Sequence, residues 1–396
     1  MKKNIKHIVY LGAVGFPIGF AEIEKVKLVS RSLINAGASV LVISNKGVHK
    51  RNKGLEVYKS GTEEEIKYIY TTGTPFRPEG FLKRNLLKVY GIVAEIALLF
   101  KLAIKKQLDI AIISSKRFNI IFLYYLLSRL LRFKTVLNYA EFNSELSKEK
   151  GNKNGINDFL FEKYAVHLMD GIIPISEFLV DVLKKKSPTK PYIKIPVLCD
   201  FSKFDPGNRQ AVEPYFLFCS SVNNMEVMDF ILEAFGRINV NAEHYLYLVV
   251  NGPDHALALF SEAVAQHKKS RFIKTFRNLP YQELVTLYIN ARGLLIPLRP
   301  VPRDIARFPH KIGEYCASAN PIITTNVGEV VNFFEDNKNA FVAADFAVDD
   351  FSQKMEEVLN HPEKAKVVGQ SGLELGYKHF NYLHYGDQLM DFFKKL

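Results

Sequence analysis

Apolar β-branched runs alternate with amphipathic segments in the first half of the chain. Residues 7–11 form the first run, apolar residues then recur at helical spacing between positions 23 and 33, and residues 40–44 form the second run. Gly37 ends the helix, so the pattern predicts a strand-helix-strand unit. Runs of the same kind follow at 109–114, 135–139, 171–176 and 192–197. Strands that alternate with helices predict a parallel sheet covered on both faces.

The alternation stops at a polar, turn-rich stretch and then begins again. Residues 201–214 contain Asp205, Pro206, Gly207 and Asn208, a composition typical of a linker. The strands predicted beyond it lie at 215–219, 245–250, 272–276, 294–298, 322–325 and 341–343, with helices that include 227–237 and 283–290.

The pattern therefore predicts two doubly wound α/β domains, 1–200 and 215–375, joined by the linker 201–214. The last segment, 376–396, has helical character, and we expect it to pack back across both domains. Ligands of such sheets bind beyond the carboxyl ends of the strands, so the groove between the domains is the expected site.

The composition indicates a reducing environment and an attraction to anions. The 396 residues include three cysteines, none at a spacing that suggests a metal site or a disulfide framework. The net charge of +12 favours anionic partners without identifying them. Three lysines precede an apolar run near the N-terminus, but Gly12, Gly15, Pro17 and Gly19 interrupt that run, so it predicts a strand and a loop. We expect a cytoplasmic protein.

The segment 81–107 combines basic and apolar residues at helical spacing. Lys83, Arg84, Lys88 and Lys101 flank leucine and isoleucine, as in helices that lie on an anionic membrane surface at the inner face of the cell membrane. The alternative is a core helix with a solvated basic edge. The segment is too short in apolar residues to cross a bilayer.

A glycine-containing loop follows the first predicted strand. Gly12, Gly15 and Gly19 lead into the helix that begins near Glu22, and such glycines let backbone amides approach an anion at a helix N-terminus. The spacing matches neither the dinucleotide fingerprint nor the phosphate-binding loop of nucleoside triphosphatases. Gly15 is therefore a candidate donor-binding residue. The alternative interpretation of the loop is a plain tight turn.

Four cations recur at intervals of four residues near position 300. They are Arg299, Arg303, Arg307 and Lys311. Prolines at 300, 302 and 309 forbid one continuous helix, so we predict a loop that turns into a helix starting near Phe308. Such a loop is suited to hold a diphosphate, and the alternative is a solvated basic loop.

The segment that contains these cations resembles a known family. RFPHKIGEYCASANPIITTNVGEV (307–330) resembles the donor-binding region of glycosyltransferase family 4, and the preceding NLPYQELVTLYINARGLLIPLRP is similar to the same family. GFPIGFAEIEKVKLVSRSLINAGASVLVIS near the N-terminus and DGIIPISEFLVDVLKKK with KIPVLCD in the middle also resemble it, in the same order. The resemblance implies the GT-B architecture, two Rossmann-like domains facing each other across a cleft.

The resemblance implies roles for individual residues of the second domain. Glu314 matches the second glutamate of the family's paired motif, whose carboxylate accepts hydrogen bonds from the nucleotide ribose hydroxyls. The first glutamate of that pair is replaced by Ala306, so sugar recognition is altered or falls to a neighbour such as Asp304. Base recognition is implied for the loop at Arg277, Asn278 and Leu279.

The diphosphate contact also departs from the family pattern. The family has an arginine and a lysine after the first strand of this domain, but no cation stands between Cys219 and Asp229 here. The remaining polar groups are those of Ser220, Ser221, Asn223 and Asn224, which donate hydrogen bonds without neutralising charge. We therefore expect the positive charge for the leaving group to come from Arg303, Arg307 or Lys311.

The resemblance implies a retaining, metal-independent glycosyltransferase that uses a nucleotide diphosphate sugar. Glu141 follows a strand of the first domain, where a carboxylate is placed to orient or deprotonate the acceptor hydroxyl; a solvated acid is the alternative. We expect a glycan or lipid-linked acceptor, a role in cell-surface polysaccharide biosynthesis, and no cofactor or metal.

Three other functions fit the sequence less directly. A nucleotide-sugar epimerase would need acid and base groups around the sugar, and the sequence identifies none. A non-catalytic partner that has lost turnover is suggested by Ala306 and by the missing cations. A nucleic-acid-binding role rests on the net charge alone, without a recognisable module.

Overall fold

A computed structural model describes residues 5–19, 21–51, 56–141, 155–210, 212–238 and 244–396. Its chain divides into two compact units. The first contains residues 1–198 together with 382–396, and the second contains 199–381. Residues 201–214, predicted as a linker, thus belong to the second unit.

The first unit is built on a seven-stranded sheet of order β3-β4-β2-β1-β5-β6-β7. Every pairing is parallel except that of β3 with β4. The strands are β1 His7–Leu11, β2 Ser39–Ser44, β3 Ser60–Glu63, β4 Ile66–Tyr70, β5 Ile110–Ile113, β6 Lys134–Tyr139 and β7 Gly171–Pro174. The helices are α1 Ala21–Asn35, α2 Phe81–Ile104, α3 Phe118–Leu131, α4 Gly155–Leu168 and α5 Glu177–Lys186.

The order of the strands fixes the face on which each helix lies. The crossovers through α2, α3 and α4 all run toward the β7 edge, whereas the crossover through α1 runs toward β2. Because such crossovers are right-handed, α2, α3 and α4 cover one face of the sheet and α1 covers the other. Gly37, at φ +85°, ends α1 as the sequence predicts.

The second unit has a six-stranded, fully parallel sheet of order β10-β9-β8-β11-β12-β13. Its strands are β8 Tyr215–Ser221, β9 Tyr245–Asn251, β10 Ile273–Phe276, β11 Gly293–Ile296, β12 Ile322–Thr325 and β13 Phe341–Ala343. Its helices are α6 Met225–Arg237, α7 Asp254–Gln266, α8 Tyr281–Asn290, α9 Pro302–Ala306, α10 Lys311–Ala317, α11 Val348–Asn360 and α12 Pro362–Phe380. The core of this unit is formed by the apolar strands and helix faces around Phe216, Phe235 and Phe351.

The predicted C-terminal helix is interrupted. Helix α12 ends at Phe380, a 3-10 turn follows at Tyr382–His384, and the last helix is α13 Gly386–Lys394. A Cβ on Gly386 would lie 2.2 Å from the carbonyl oxygen of Ser32, so α13 packs closely on α1 within the first unit. The Ser32 hydroxyl donates to the Tyr382 carbonyl, which ties the 3-10 turn to the same helix.

Two further predictions about secondary structure are corrected. Residues 192–197 form no strand: the segment follows β7 with a single bridge at Tyr192, the Ile193 and Ile195 N–H groups donate to β7 carbonyls, and Pro196 has no N–H to extend a ladder. The predicted loop near position 300 contains the short helix α9, and the next helix begins at Lys311, three residues after Phe308.

No helix in the described ranges is long and apolar enough to span a membrane.

Candidate functional site

The short helix α10 presents Lys311 and Glu314 together. Ile312, Tyr315 and Cys316 are buried and anchor one side of the helix, so Lys311 and Glu314, three residues apart, lie on its half-exposed side. The Tyr281 hydroxyl at the start of α8 donates to Glu314 Oε1 at 3.1 Å. This bond fixes the carboxylate of the residue that the family resemblance singled out.

Lys311 lies close to the end of β8. Burial raises the pKa of the Cys219 thiol to about 11, and the charge of Lys311 acts against that rise, which places the ammonium near this strand. Lys311 makes no ion pair with any other residue that the structure describes. Its charge therefore acts on β8, the strand that leads into the loop without a cation of its own.

The loop after β8 is organised by its own hydroxyl and amide groups. The Asn223 N–H donates to Ser221 Oγ at 3.3 Å, and the Asn224 amide donates to Ser220 Oγ at 3.2 Å. Helix α6 then begins at Met225 with the Asn223 side chain exposed. The N-terminus of this 13-residue helix supplies backbone N–H groups suited to an anion.

The cation-rich segment is held together by one buried acid. Asp304 is fully buried, and its carboxylate bonds Arg299 Nε at 2.8 Å and the Arg307 guanidinium at 2.8 Å. Burial raises the pKa of Asp304, but the bonds and charges of the two arginines outweigh it and leave the pKa below its ordinary value. Arg299 also pairs with Glu226 at 2.6 Å.

This arrangement changes what the segment can do. Asp304 is inaccessible to a sugar, so the suggestion that it replaces the missing glutamate is wrong. Ala306 is also fully buried. The charge of Arg307 is already paired with Asp304, whereas Lys311 lies on the other side of the helix break at Arg307–His310, where Pro309 interrupts the backbone.

The loop predicted to recognise the base contains a residue with a left-handed backbone conformation. Asn278 has φ +52°, and its N–H donates to Asn251 Oδ1 at the end of β9 at 2.8 Å. Arg277 is exposed and meets Asp254 at 3.6 Å, while Leu279 is half-buried. The loop therefore presents its backbone at the carboxyl end of β9.

In the first unit, the glycine loop has structural contacts. A Cβ on Gly12 would lie 2.4 Å from the Ser114 carbonyl oxygen, and Gly12 adopts φ +83°. Gly15 adopts φ +110°, and its carbonyl oxygen lies 3.0 Å from His49 Nε2. The loop is thus held as a tight turn, which agrees with the alternative interpretation of the glycine spacing. Gly15 uses its carbonyl within the fold.

Glu141 is part of a polar cluster at the carboxyl ends of β5 and β6. Its half-exposed carboxylate pairs with Lys116, whose side chain is also exposed. The two residues that follow it in the sequence, Phe142 and Asn143, lie outside the described ranges. Asn138 on β6 donates to Ser114 Oγ at 3.0 Å, and the Ser114 hydroxyl donates to Glu22 at 3.4 Å.

Two buried polar atoms of this cluster have no partner among the described residues, and sequence analysis missed both. The Lys25 ammonium and the Asn138 Oδ1 make no hydrogen bond. Burial lowers the pKa of Lys25 to about 8, against the opposing charges of Glu22 and Glu141. The signal was available in the helical pattern, because Lys25 stands four residues before the buried Val29.

Within the described ranges, no three histidine, cysteine, aspartate or glutamate side chains come together in a way that could hold a metal ion.

Comparison with known proteins places this fold. Residues 201–374 match the family model "Glycosyl transferases group 1". A sucrose-phosphate synthase structure from Thermosynechococcus elongatus superimposes with a TM-score of 0.75 at 15% identity and covers 98% of each chain. A glycosyltransferase from Rickettsia africae gives 0.71 at 17%, covering 99% of each chain.

A third structure, HepE from Anabaena in complex with UDP and glucose, gives a TM-score of 0.69 at 12% identity and covers 99% of this chain and 100% of its own. The search of curated proteins found no match. The protein has the GT-B fold, with two Rossmann-like α/β domains, as the resemblance implied.

Proposed function

We propose that this protein is a retaining, metal-independent hexosyltransferase, which transfers a sugar from a nucleotide diphosphate sugar to a glycan or lipid-linked acceptor in cell-surface polysaccharide biosynthesis. The GT-B fold and the family match over residues 201–374 support glycosyl transfer. The structurally similar HepE was solved with UDP-glucose and with UDP, which supports a nucleotide sugar as the donor.

The pairing of Glu314 with Lys311 on one face of α10 is the observation that carries this proposal. An anchored carboxylate accepts hydrogen bonds from the two ribose hydroxyls, and the Lys311 ammonium, three residues earlier on the same helix, neutralises phosphate. The charge of Lys311 acts on Cys219 of β8, and the cation-free loop after this strand offers the Ser221 and Asn223 groups and the N-terminus of α6. Together these groups match a ribose and a diphosphate.

The proposed mechanism rests on positioning and on leaving-group charge. Lys311 stabilises the charge that develops on the departing diphosphate, a contribution that such groups make without a metal. Glu141, held by Lys116, orients the acceptor hydroxyl. In a retaining transfer the acceptor oxygen takes the position that the diphosphate leaves, so product anomer analysis by NMR tests the stereochemistry. Unchanged turnover in excess chelator is the result expected for a metal-independent enzyme.

Calorimetric titration with UDP, and with other nucleoside diphosphates, tests the donor site. The near-isosteric variant Glu314→Gln should weaken nucleoside diphosphate binding at least tenfold, because hydrogen bonds to a charged group contribute about 1.5–3 kcal/mol each. Lys311→Ala should lower turnover by roughly 100-fold, the scale seen when one donor to a developing charge is removed.

Lys338→Ala is the matched control, since Lys338 is an exposed lysine of the same unit that pairs only with the exposed Glu335 among described residues. It should leave affinity and turnover unchanged. Unaltered nucleotide affinity in Glu314→Gln, with thermal stability equal to the wild type, would refute the donor site.

We also propose that the protein is cytoplasmic and binds peripherally to the inner face of the cell membrane. Helices α2, α3 and α4 cover one face of the first sheet and expose large apolar side chains, among them Phe81, Leu82, Leu86, Val89, Phe122, Leu126, Leu130, Ile156 and Phe159. Their three acids are withdrawn from solvent: Glu95 and Asp158 are buried, and Glu162 pairs with Lys186.

An apolar surface with cations and without exposed acids suits an anionic lipid surface. Flotation with phosphatidylglycerol vesicles should recover the protein, and phosphatidylcholine vesicles should recover much less. Equal recovery with both would contradict electrostatic attraction to the membrane.

A non-catalytic partner is the second candidate function. It is favoured by Ala306, which occupies the position of the family's first glutamate, and by the absence of cations between Cys219 and Asp229. Such a protein would bind nucleoside diphosphate without turnover of any nucleotide sugar, with or without acceptor. Hydrolysis or transfer of a bound nucleotide sugar excludes this candidate.

A further inference from the structure

A cavity of about 220 Å³ in the first unit is lined by four cationic side chains and no acid. The cations are Lys46, Arg77, Arg84 and Lys88, and the remaining lining residues are small or apolar except Thr72. Lys46 follows β2, Arg77 precedes α2, and Arg84 and Lys88 lie one turn apart on α2. Three separate segments of the chain thus place positive charge in one cavity.

The fold holds these segments close together through backbone contacts. A Cβ on Gly47 would lie 2.3 Å from the Phe76 carbonyl oxygen, and the Arg77 N–H donates to the His49 carbonyl at 2.9 Å. A Cβ on Gly91 would lie 2.2 Å from the Asn45 carbonyl oxygen, so α2 approaches the loop after β2 as closely as a glycine permits. The cavity is therefore built by the fold and does not depend on the position of one flexible side chain.

The four charges are collected without compensation. None of them forms an ion pair with a residue in the described part of the chain. Burial, with the charges of Arg117 and Lys88, lowers the pKa of Lys46, and Glu22 offsets only part of that effect. Grouping like charges is unfavourable, and a multivalent anion in the cavity would relieve it. Arginine and lysine together are typical of phosphate sites.

An apolar depression adjoins this cavity on the outer side of α2. It is lined by Leu82, Lys83, Leu86, Leu87 and Tyr90, and Leu87 lines both cavities. Leu82 and Leu86 are 71% and 63% exposed, so this surface is available to a hydrocarbon chain. A ligand that spans both places would carry phosphate at one end and apolar carbon next to it.

We infer that this cationic pocket binds the phosphate or diphosphate of a lipid-linked acceptor, whose hydrocarbon chain lies along the exposed side of α2. This inference rests on the proposed transferase function, for which it supplies the acceptor class and its binding site. Four cations match a diphosphate, which carries two to three negative charges near neutral pH, better than a neutral sugar. The shared Leu87 places the apolar chain directly beside the phosphate.

Binding of farnesyl diphosphate to the full chain, measured by calorimetry below its micellar concentration, tests the inference. Wild type should bind it more tightly than pyrophosphate or farnesol. The double variant Arg84→Ala with Lys88→Ala should weaken farnesyl diphosphate and pyrophosphate binding at least tenfold each. Leu86→Ser should weaken farnesyl diphosphate binding several-fold and leave pyrophosphate binding unchanged, because it touches only the apolar contact.

Matched variants separate this site from general charge and apolarity. Lys101→Ala removes an exposed cation from the same helix outside the cavity, and Leu130→Ser removes an exposed leucine from α3. Both should bind farnesyl diphosphate as the wild type does. An equal loss in Lys101→Ala would overturn the inference, because the attraction would then be non-specific.

Vesicles and nucleotide distinguish the remaining outcomes. If the double variant lost binding to phosphatidylglycerol vesicles while free farnesyl diphosphate failed to bind the wild type, the pocket would take a membrane headgroup and the acceptor assignment would be overturned. Wild type that binds UDP but neither farnesyl diphosphate nor pyrophosphate would overturn this inference alone. Failure to bind any nucleoside diphosphate would instead remove the transferase proposal on which it rests.

Discussion

Replacing Lys25 by methionine should make the protein more stable at neutral pH. The Lys25 side chain is 2% exposed, and its ammonium makes no hydrogen bond with a described residue. Methionine has a similar length and fills the same space without a charge. A buried ammonium that lacks a partner is costly, and removing it is therefore favourable.

The magnitude follows from the pKa of Lys25, which burial lowers from 10.5 to about 8. Each pH unit between these values corresponds to about 1.4 kcal/mol, so the charged side chain costs the folded state about 3 kcal/mol. Below pH 8 Lys25 is protonated in both states and the full cost applies. Between pH 8 and 10.5 the unfolded chain binds the proton more strongly, so wild-type stability rises with pH through this window.

Urea unfolding followed by far-UV circular dichroism measures the effect. Lys25→Met should raise the free energy of unfolding of the first unit by about 3 kcal/mol at pH 7, and this gain should nearly vanish by pH 10.5. Lys27→Met is the control, because Lys27 on the same helix pairs with Glu24 at 3.4 Å near the surface. That pair contributes about 0–1 kcal/mol. A gain that does not change with pH would show that repacking, and not the buried charge, is its cause.

Two buried carboxylic acids give predictions whose signs are opposite to each other. Burial raises the pKa of Glu95 from 4.5 to about 7, so its contribution to stability is present below pH 4.5 and lost as the pH rises through 7; Glu95→Gln should therefore change little at pH 4.5 and add about 3 kcal/mol at pH 8 in the same urea assay. Asp304→Asn should lower the free energy of unfolding of the second unit by about 3 kcal/mol at pH 7, because it leaves Arg299 and Arg307 without their shared carboxylate. The pKa of Asp304 is depressed, so that loss should shrink as the pH falls below 3.8, and a constant loss would contradict the ion-pair explanation.

The buried parallel strands could be predicted because they are continuous apolar runs. β12 and β13 have the predicted bounds, and β1 does as well. Strand β3 was missed for the opposite reason. Ser60–Glu63 is almost entirely exposed at the edge of the sheet and contains no apolar residue, so no hydrophobic pattern marks it.

In the candidate donor site, the sequence motif identifies the carboxylate but not the separate roles of the nearby cations. The segment around Glu314 singles out that residue, but the regular spacing of Arg299, Arg303, Arg307 and Lys311 suggested four equivalent cations. Their roles differ because Asp304, fully buried between them, takes the charges of Arg299 and Arg307. Which cation a nearby acid neutralises depends on the path of the backbone, and the sequence does not specify that path.

Helix α2 is the element for which the sequence left two interpretations open, a membrane-surface helix and a core helix with a solvated basic edge. The residues that it buries are Gly91, Glu95 and Leu99, four apart on one stripe, while Leu82, Leu86, Val89 and Val93 remain exposed. A core helix would bury its leucines and leave a glutamate in solvent. Here the buried stripe contains Gly91, which permits close approach to Asn45. It also contains Glu95, whose carboxylate accepts hydrogen bonds from Asn45 and Tyr124. Leaving this apolar surface exposed to water is unfavourable unless a ligand or a membrane covers it, and it continues directly into the cationic pocket at Leu87. The outward apolar face and the uncompensated charges are therefore best explained by one amphiphilic anion.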